Sequence, residues 1–355
     1  GFVPVVVPCH QGVDAASNDL SWTSGFVMIA RWLRLYYGDE DTVAKHWTQL
    51  KRWTDGQLRN ASRESSDGLP DFNTYGDLAG FGIGGARAGQ AKYVASAAAA
   101  ANFITALQAM VEMAPVATVV SPDAADDAER WNATLAALRE AFARRYWDST
   151  TGSFCNDTTG MQTINSLALS AGVGTPVQRA SAGKAVIADV VGRGYALSVG
   201  AVGARVLLDT LSDLGAEGHD AALRVVLRPE FPGWGYMVAS NASTCWEGWD
   251  NETSPLYETR GSHYHGSHNH AWLCGGVGAW VYSRLGGIRP TGDGYETVAI
   301  APKVSKTLGP GAVSTRLATP RGLIWSNWTR ALTHPAHTKQ PTLVVTMRIA
   351  LPAST

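Results

Sequence analysis

Along most of the chain apolar residues return every three to four positions, the spacing of helices that bury one face, and short Gly, Pro and Ser/Thr/Asp links part the runs. Ser21 can cap a helix through Trp22, Phe26, Ile29, Leu33 and Tyr36 that stops at Gly38. Val43, Trp47, Leu50 and Trp53 carry a second helix to about Leu58, and residues 60–86 then lose the period and predict a long loop bearing Tyr75-Gly76-Asp77. An alanine-rich helix follows from about Ala88 to Met113, with Tyr93, Phe103, Leu107 and Met110 on its core side. Ser121-Pro122-Asp123 opens another, because Pro at a first helical position lacks only an N–H that would go unbonded anyway. Its stripe of Trp131, Leu135, Leu138, Phe142 and Tyr146 has the spacing of a core face.

Further helices are expected from about Met161 to Ala171, from Thr175-Pro176 through Val190, from Ala201 to Leu214 with Gly215 as its stop, and briefly from Ala221 to Leu227. The last runs from about His270 to Leu285 and closes at Gly286-Gly287. Near Ile288-Arg289-Pro290 the pattern changes. Tyr295 to Ile300, Val313 to Thr319, Leu323 to Trp328 and Leu343 to Ile349 read as short strands between Pro/Gly clusters. The expected architecture is mainly α with a C-terminal all-β domain, residues 1–287 and 288–355. Successive helices of this kind form either a solenoid or a closed α/α toroid, and the absence of a fixed repeat disfavours the solenoid. A toroid gathers its loops at one end, where the Asp77 loop and the segment around Glu247 would meet.

Composition narrows the chemistry. The 355 residues carry a net charge of -1 with 17% charged residues, which leaves no basic field for nucleic acid and no polybasic membrane anchor. No uninterrupted run approaches the roughly 18 apolar residues of a membrane span. Six of the eleven asparagines, Asn60, Asn132, Asn156, Asn241, Asn251 and Asn327, stand in Asn-X-Ser/Thr triplets, the pattern of a secreted glycoprotein. The four cysteines, Cys9, Cys155, Cys245 and Cys274, permit two disulfides but form neither a dense framework nor a zinc pattern.

The densest chemistry lies between Pro232 and Trp272. Four of the thirteen tryptophans (Trp234, Trp246, Trp249, Trp272) and four of the nine histidines (His263, His265, His268, His270) fall there, around the carboxylate of Glu247. Aromatic faces with carboxylates and imidazoles suit a polyhydroxylated guest such as a sugar ring. Glu247 is then an acid/base residue between Trp246 and Trp249, or else a satisfied structural carboxylate at a loop-to-helix junction. The two His-X-His pairs are compatible with zinc or copper, although no Cys or carboxylate sits at ligand spacing. No Gly-X-Ser-X-Gly elbow occurs, and Gly82-Ile83-Gly84-Gly85 follows no predicted strand.

Read in order, Thr163 with Leu167-Ala168-Leu169, Leu197-Ser198-Val199-Gly200, Pro232-Gly233-Trp234-Gly235-Tyr236-Met237, Trp246-Glu247-Gly248-Trp249-Asp250 and Ser267-His268-Asn269-His270 resemble the bacterial-type α-L-rhamnosidases of glycoside hydrolase family 78. The likeness continues into the β unit and reaches upstream to Trp22 and Gly76-Asp77. It implies an (α/α)6 toroid followed by a β-sandwich, inverting hydrolysis of terminal α-L-rhamnosides, rhamnose-containing partners and no cofactor. By that resemblance Glu247 is the general base; Trp234, Trp246, Trp249 and His270 line the sugar pocket; and Trp22 and Asp77 belong to subsite loops.

Inversion needs a second carboxyl, and the Asp-rich segment ending Gly-Trp-X-Gly-Asp that carries the family's acid has no counterpart here. Trp22-Thr23-Ser24-Gly25 stands where the family has Trp-Gly-Asp-Ala, and Gly76-Asp77-Leu78 where it has Gly-Asp-Trp. Asp19 is the nearest upstream carboxylate that could substitute. Eight or nine helices are expected where a full toroid needs twelve. The chain is therefore either part of a longer hydrolase or a form that binds carbohydrate without turnover. Another toroid glycosidase, or a lyase, is a further alternative, but a lyase needs basic residues and only Arg260 is basic between 231 and 272, histidines aside.

Overall fold

A computed structural model of the chain describes residues 3–4, 19–71, 76–77, 92–155, 160–249, 268–306, 308–309, 311–333 and 342–352. It is mainly helical with a small antiparallel β region at the C-terminal end. The first apolar run forms α1 (Leu20–Thr23) and α2 (Gly25–Tyr37), and Gly38 closes α2 in the left-handed conformation at φ 70°. Asp19, not Ser21, caps α1, because its carboxylate accepts the Ser21 amide at 2.8 Å. Asp39 caps α3 (Glu40–Glu64) in the same way. This helix outruns its last expected apolar residue by more than a turn, since a polar segment projecting into solvent loses nothing by staying helical.

The alanine-rich run is α4, described over Lys92–Ala117, which ends later than expected. Residues Tyr93–Ala117 are long and apolar enough to cross a membrane, which the search for uninterrupted runs overlooked, but 83% of the most apolar window is buried inside the protein. Its many small side chains let α1, α2, α3, α5 (Ala124–Tyr146) and α6 (Met161–Ser170) approach it closely. A capping box between Thr175 and Gln178 starts α7 (Pro176–Gly192). Then come α8 (Ala201–Asp213), α9 (Gly215–Leu227), the short α10 (Trp234–Ala239) and α11 (Trp272–Trp280), which continues as a π turn to Leu285. Gly215 ends α8 and also begins α9, so α9 is two turns longer than its apolar residues foretell.

Helices α2, α4, α6, α8 and α11 pack side by side in chain order, while α3, α5, α7 and α9 form a second row against them. Helix α8 divides two cores: Val202 and Val206 join the one around α4, and Leu207 and Leu211 join the one that holds Trp234, Trp246 and Trp249. Gly276 permits the close approach of α11, since a Cβ there would lie 2.5 Å from the Ala204 carbonyl oxygen.

Among the described residues the β region comprises a ribbon of β1 (Ile288–Pro290) and β2 (Val298–Ile300) and a meander β3 (Ala312–Thr319), β4 (Gly322–Thr333), β5 (Thr342–Ala350). The first expected strand is half right: Tyr295 lies in a 3-10 turn and only residues 298–300 pair, with β1, which was not expected. The contacts that dock this region on the helices include Arg34 with Asp293 at 2.7 Å, the Trp328 indole N–H on the Leu285 carbonyl at 2.7 Å, and the Tyr36 and Tyr295 rings at 6.3 Å.

Candidate active site

The N-terminal end of α8 gathers the segments that the sequence left apart. Asp77 is fully buried and accepts from the backbone N–H groups of Gly200 (2.8 Å), Val202 (2.8 Å) and Gly203 (3.0 Å), and from the Thr163 hydroxyl. It thus satisfies the exposed amides of α8 and sits on the positive end of the helix dipole. Burial pushes this carboxyl up, and the four donors oppose the shift. Gly203 makes the approach feasible: a Cβ there would lie 2.9 Å from the Asp77 Oδ2. The expectation that Asp77 meets a sugar is therefore corrected, because its oxygens are spent on the helix end and none reaches solvent.

Asp19 is corrected on the same ground. It too is fully buried, and besides capping α1 it accepts the Gly76 N–H at 3.3 Å. Asp19 and Asp77 are thus frame parts that tie α1 to α8 through Gly76-Asp77.

Against that frame lies the Trp/Glu/His segment. The Trp249 indole N–H donates to the Val199 carbonyl at 2.6 Å, and the Trp234 indole N–H to the Leu273 carbonyl at 2.9 Å. The two rings meet edge to face at 5.1 Å. Trp234, Trp246 and Trp249 are only 6%, 4% and 2% exposed, so they present little ring face to a ligand and serve mainly as the wall behind Glu247. Trp246 packs on Tyr236 at 6.2 Å and under His268 at 5.4 Å.

Glu247 itself is partly open. Its backbone carbonyl accepts the Trp272 indole N–H at 2.6 Å. Trp272 also stacks on His270, centroids 4.3 Å apart, and on Trp22 at 5.0 Å. Glu247, His270, Trp272 and Trp22 are all half-buried, so these rings keep part of their surface open next to the Glu247 backbone. Trp272 was counted in the dense stretch but not among the expected sugar contacts; its place at the start of a helix gave no hint that its ring would bridge His270 and Trp22.

A disulfide between Cys245 and Cys274 closes the segment, joining the residue two before Glu247 to α11. The His270 amide donates to the Cys245 carbonyl at 2.7 Å and the Thr244 hydroxyl to His268, so both ends of the segment are fixed. Cys155 is buried, and Cys9 lies outside the described residues. So do His263, His265 and Arg260, and with them one of the two His-X-His pairs. Among the described residues no three His, Cys, Asp or Glu side chains converge as a metal site.

The order of these parts is matched by a known family. A model of the bacterial alpha-L-rhamnosidase 6 hairpin glycosidase domain matches residues 1–285. The chain belongs to that family. A model of the bacterial alpha-L-rhamnosidase C-terminal domain matches residues 287–354. An alpha-L-rhamnosidase of Streptomyces avermitilis is 26% identical over 283 residues, which cover 79% of this chain and 25% of that protein. One of Formosa agariphila is 24% identical over 339 residues, 92% of this chain and 33% of the relative. The solved alpha-L-rhamnosidase from Dictyoglumus thermophilum superposes with a TM-score of 0.76 at 22% identity, over 96% of this chain and 34% of that one. The Streptomyces avermitilis enzyme complexed with L-rhamnose does so with a TM-score of 0.73 at 25% identity, over 90% and 28%. The chain thus spans between a quarter and a third of the length of these family members.

Proposed function

We propose that this rhamnosidase-family chain carries the sugar-binding and general-base half of an enzyme that hydrolyses terminal α-L-rhamnosides with inversion. The observation that carries the proposal is the placement of Glu247: partly open, its backbone held by Trp272, next to the partly open rings of His270, Trp272 and Trp22. A carboxylate there can take a proton from water beside a deoxyhexose lying on the aromatic surface. Family membership and the rhamnose complex of a relative support the choice of sugar. His270 presents an imidazole there, and among the described residues its buried Nδ1 has no hydrogen-bond partner.

The acid that protonates the leaving oxygen must stand about 6.5–9.5 Å from the base in an inverting enzyme. Asp19 and Asp77 are occupied with helix ends, so neither is assigned as that acid. The Cys245–Cys274 disulfide and the exposed triplets at Asn132 and Asn241 support secretion into an oxidising compartment.

The test is Glu247→Gln in the full-length protein, assayed with an aryl α-L-rhamnoside. A general base predicts a fall of about 10²–10⁴-fold in kcat with KM little changed. Turnover that survives the substitution overturns the assignment of Glu247. Saturable L-rhamnose binding without turnover in the unaltered protein overturns the enzyme reading in favour of a binding protein.

A further inference from the structure

We propose that a second cavity, deeper along α8, binds a small oxyanion, a carboxylate or a phosphate, between Arg179 and Arg205. The cavity holds about 620 Å³ and is lined in part by Ser170, Arg179, Arg205, Asp209, Asp213 and Arg284. At about 1.5 Å per helical residue it begins roughly 8 Å below the Asp77-capped end of α8 and extends about 12 Å further, away from Glu247. Its size is that of a small-molecule site.

The charges on its walls do not balance. Arg284, whose side chain is 8% exposed, takes both acids: its Nε donates to Asp209 at 2.7 Å, and its two terminal nitrogens donate to Asp213 at 2.6 and 2.9 Å. Three guanidinium groups therefore face two carboxylates, and both carboxylates are committed to one of the three. Arg179 and Arg205 have only neutral partners among the described residues. Arg179 donates to the Gly174 carbonyl, and Arg205 donates to the Asn102 side-chain oxygen at 2.9 Å. A guanidinium carries five N–H donors in a planar fork, so most of each fork remains for a ligand.

A third cation deepens the excess. Arg139 donates to the Ala171 carbonyl at 2.8 Å and to Gln108 at 2.6 Å, and burial together with the nearby Arg179 charge pushes its pKa down. Carbonyls at the C-terminal end of α6 account for Arg139, since cations are favoured there. They do not account for Arg205, which is on another helix and points across to α4. An anion bridging Arg179 and Arg205 would offset the repulsion with charge-assisted, two-pronged bonds. On the same face of α8 as Arg205 the Asp209 and Asp213 oxygens can also accept hydroxyls, so a hydroxylated carboxylate fits better than bare phosphate.

Isothermal titration of the full-length protein with sodium phosphate, and separately with sodium glucuronate, at ionic strength held constant with sodium chloride, tests this. Saturable binding is expected for both, tighter for glucuronate. Arg179→Gln and Arg205→Gln should each weaken it about tenfold or more. Arg205→Lys, which keeps charge but not the fork, should fall between. Arg316→Gln, a cation stacked over Trp325 in the sheet, should leave binding unchanged. Glu247→Gln should do so too, which separates this site from the proposed active site. Thermal unfolding of each variant checks that it is folded. No saturable heat with either anion, or binding that folded Arg205→Gln retains at full strength, overturns the proposal.

Discussion

The two halves of the helical assembly use tryptophan for different ends. In the half around α4, Trp47 and Trp53 are each 1% exposed, and their indole N–H groups have no hydrogen-bond partner among the described residues. They fill volume, packing on Trp131 at 5.7 Å and Phe103 at 6.2 Å. In the half around α8, the indole N–H groups of Trp234, Trp249 and Trp272 are bonded to backbone carbonyls, and that of Trp280 to Ser212. The first arrangement stabilises helices that are already regular. The second fixes irregular backbone, whose carbonyls would otherwise lack partners, and so gives a loop carrying Glu247 one position.

The difference can be broken in three ways. The largest effect is expected from Cys245→Ser with Cys274→Ser. Opening a loop whose ends are 29 residues apart should cost about 3–4 kcal/mol by chain entropy. It should also lower kcat more than KM rises if Glu247 is the base we propose, because that residue loses its position; denaturant unfolding and kinetics of the double variant measure both. If the loop is held by its indoles alone, kcat will not change. Next, Trp249→Phe should cost about 1–3 kcal/mol more than Trp47→Phe, since both lose similar volume but only the first strands a buried carbonyl. Equal losses in denaturant midpoint would show that the N–H bond contributes nothing.

The smallest effect concerns acid. Partial burial pushes the Asp67 carboxyl up, but hydrogen bonds from Ser65, Leu69 and Arg145 outweigh it and hold the group below the usual carboxylate range. Because the folded value is the lower one, the stabilisation is present above the ordinary carboxylate value of about 4 and is lost as pH falls through the folded value. Asp67→Asn should therefore destabilise the fold slightly at pH 6, by less than about 1 kcal/mol, and by progressively less as pH falls through the lowered folded value. A difference that does not shrink with acid would mean that the side chain acts by shape.

The buried stripes of Trp131, Leu135, Leu138 and Phe142, the stops at Gly38 and Gly215, and the change of period near Ile288 were all legible, because local periodicity and glycine conformation act over a few residues. The site was legible as a cluster of residue types but not as an arrangement. Asp19 and Asp77 looked like sugar carboxylates, yet Asp77 caps a helix that begins more than 120 residues later in the chain. No local signal marks such a pairing. The short α10, the pairing of Cys245 with Cys274 and the partly open ring of Trp272 share that cause: each depends on which segments meet.

The amino-acid order alone determined the helical body, the β region that follows it, the family likeness and the stretch where the chemistry lies. Those follow from spacing along one segment and from motifs whose order survives without any contact. Tertiary structure alone decided which carboxylates face solvent, which aromatic rings are wall and which are surface, and where unbalanced arginines collect. Burial and hydrogen-bond satisfaction are properties of neighbours in space, and residues far apart in the chain supply those neighbours.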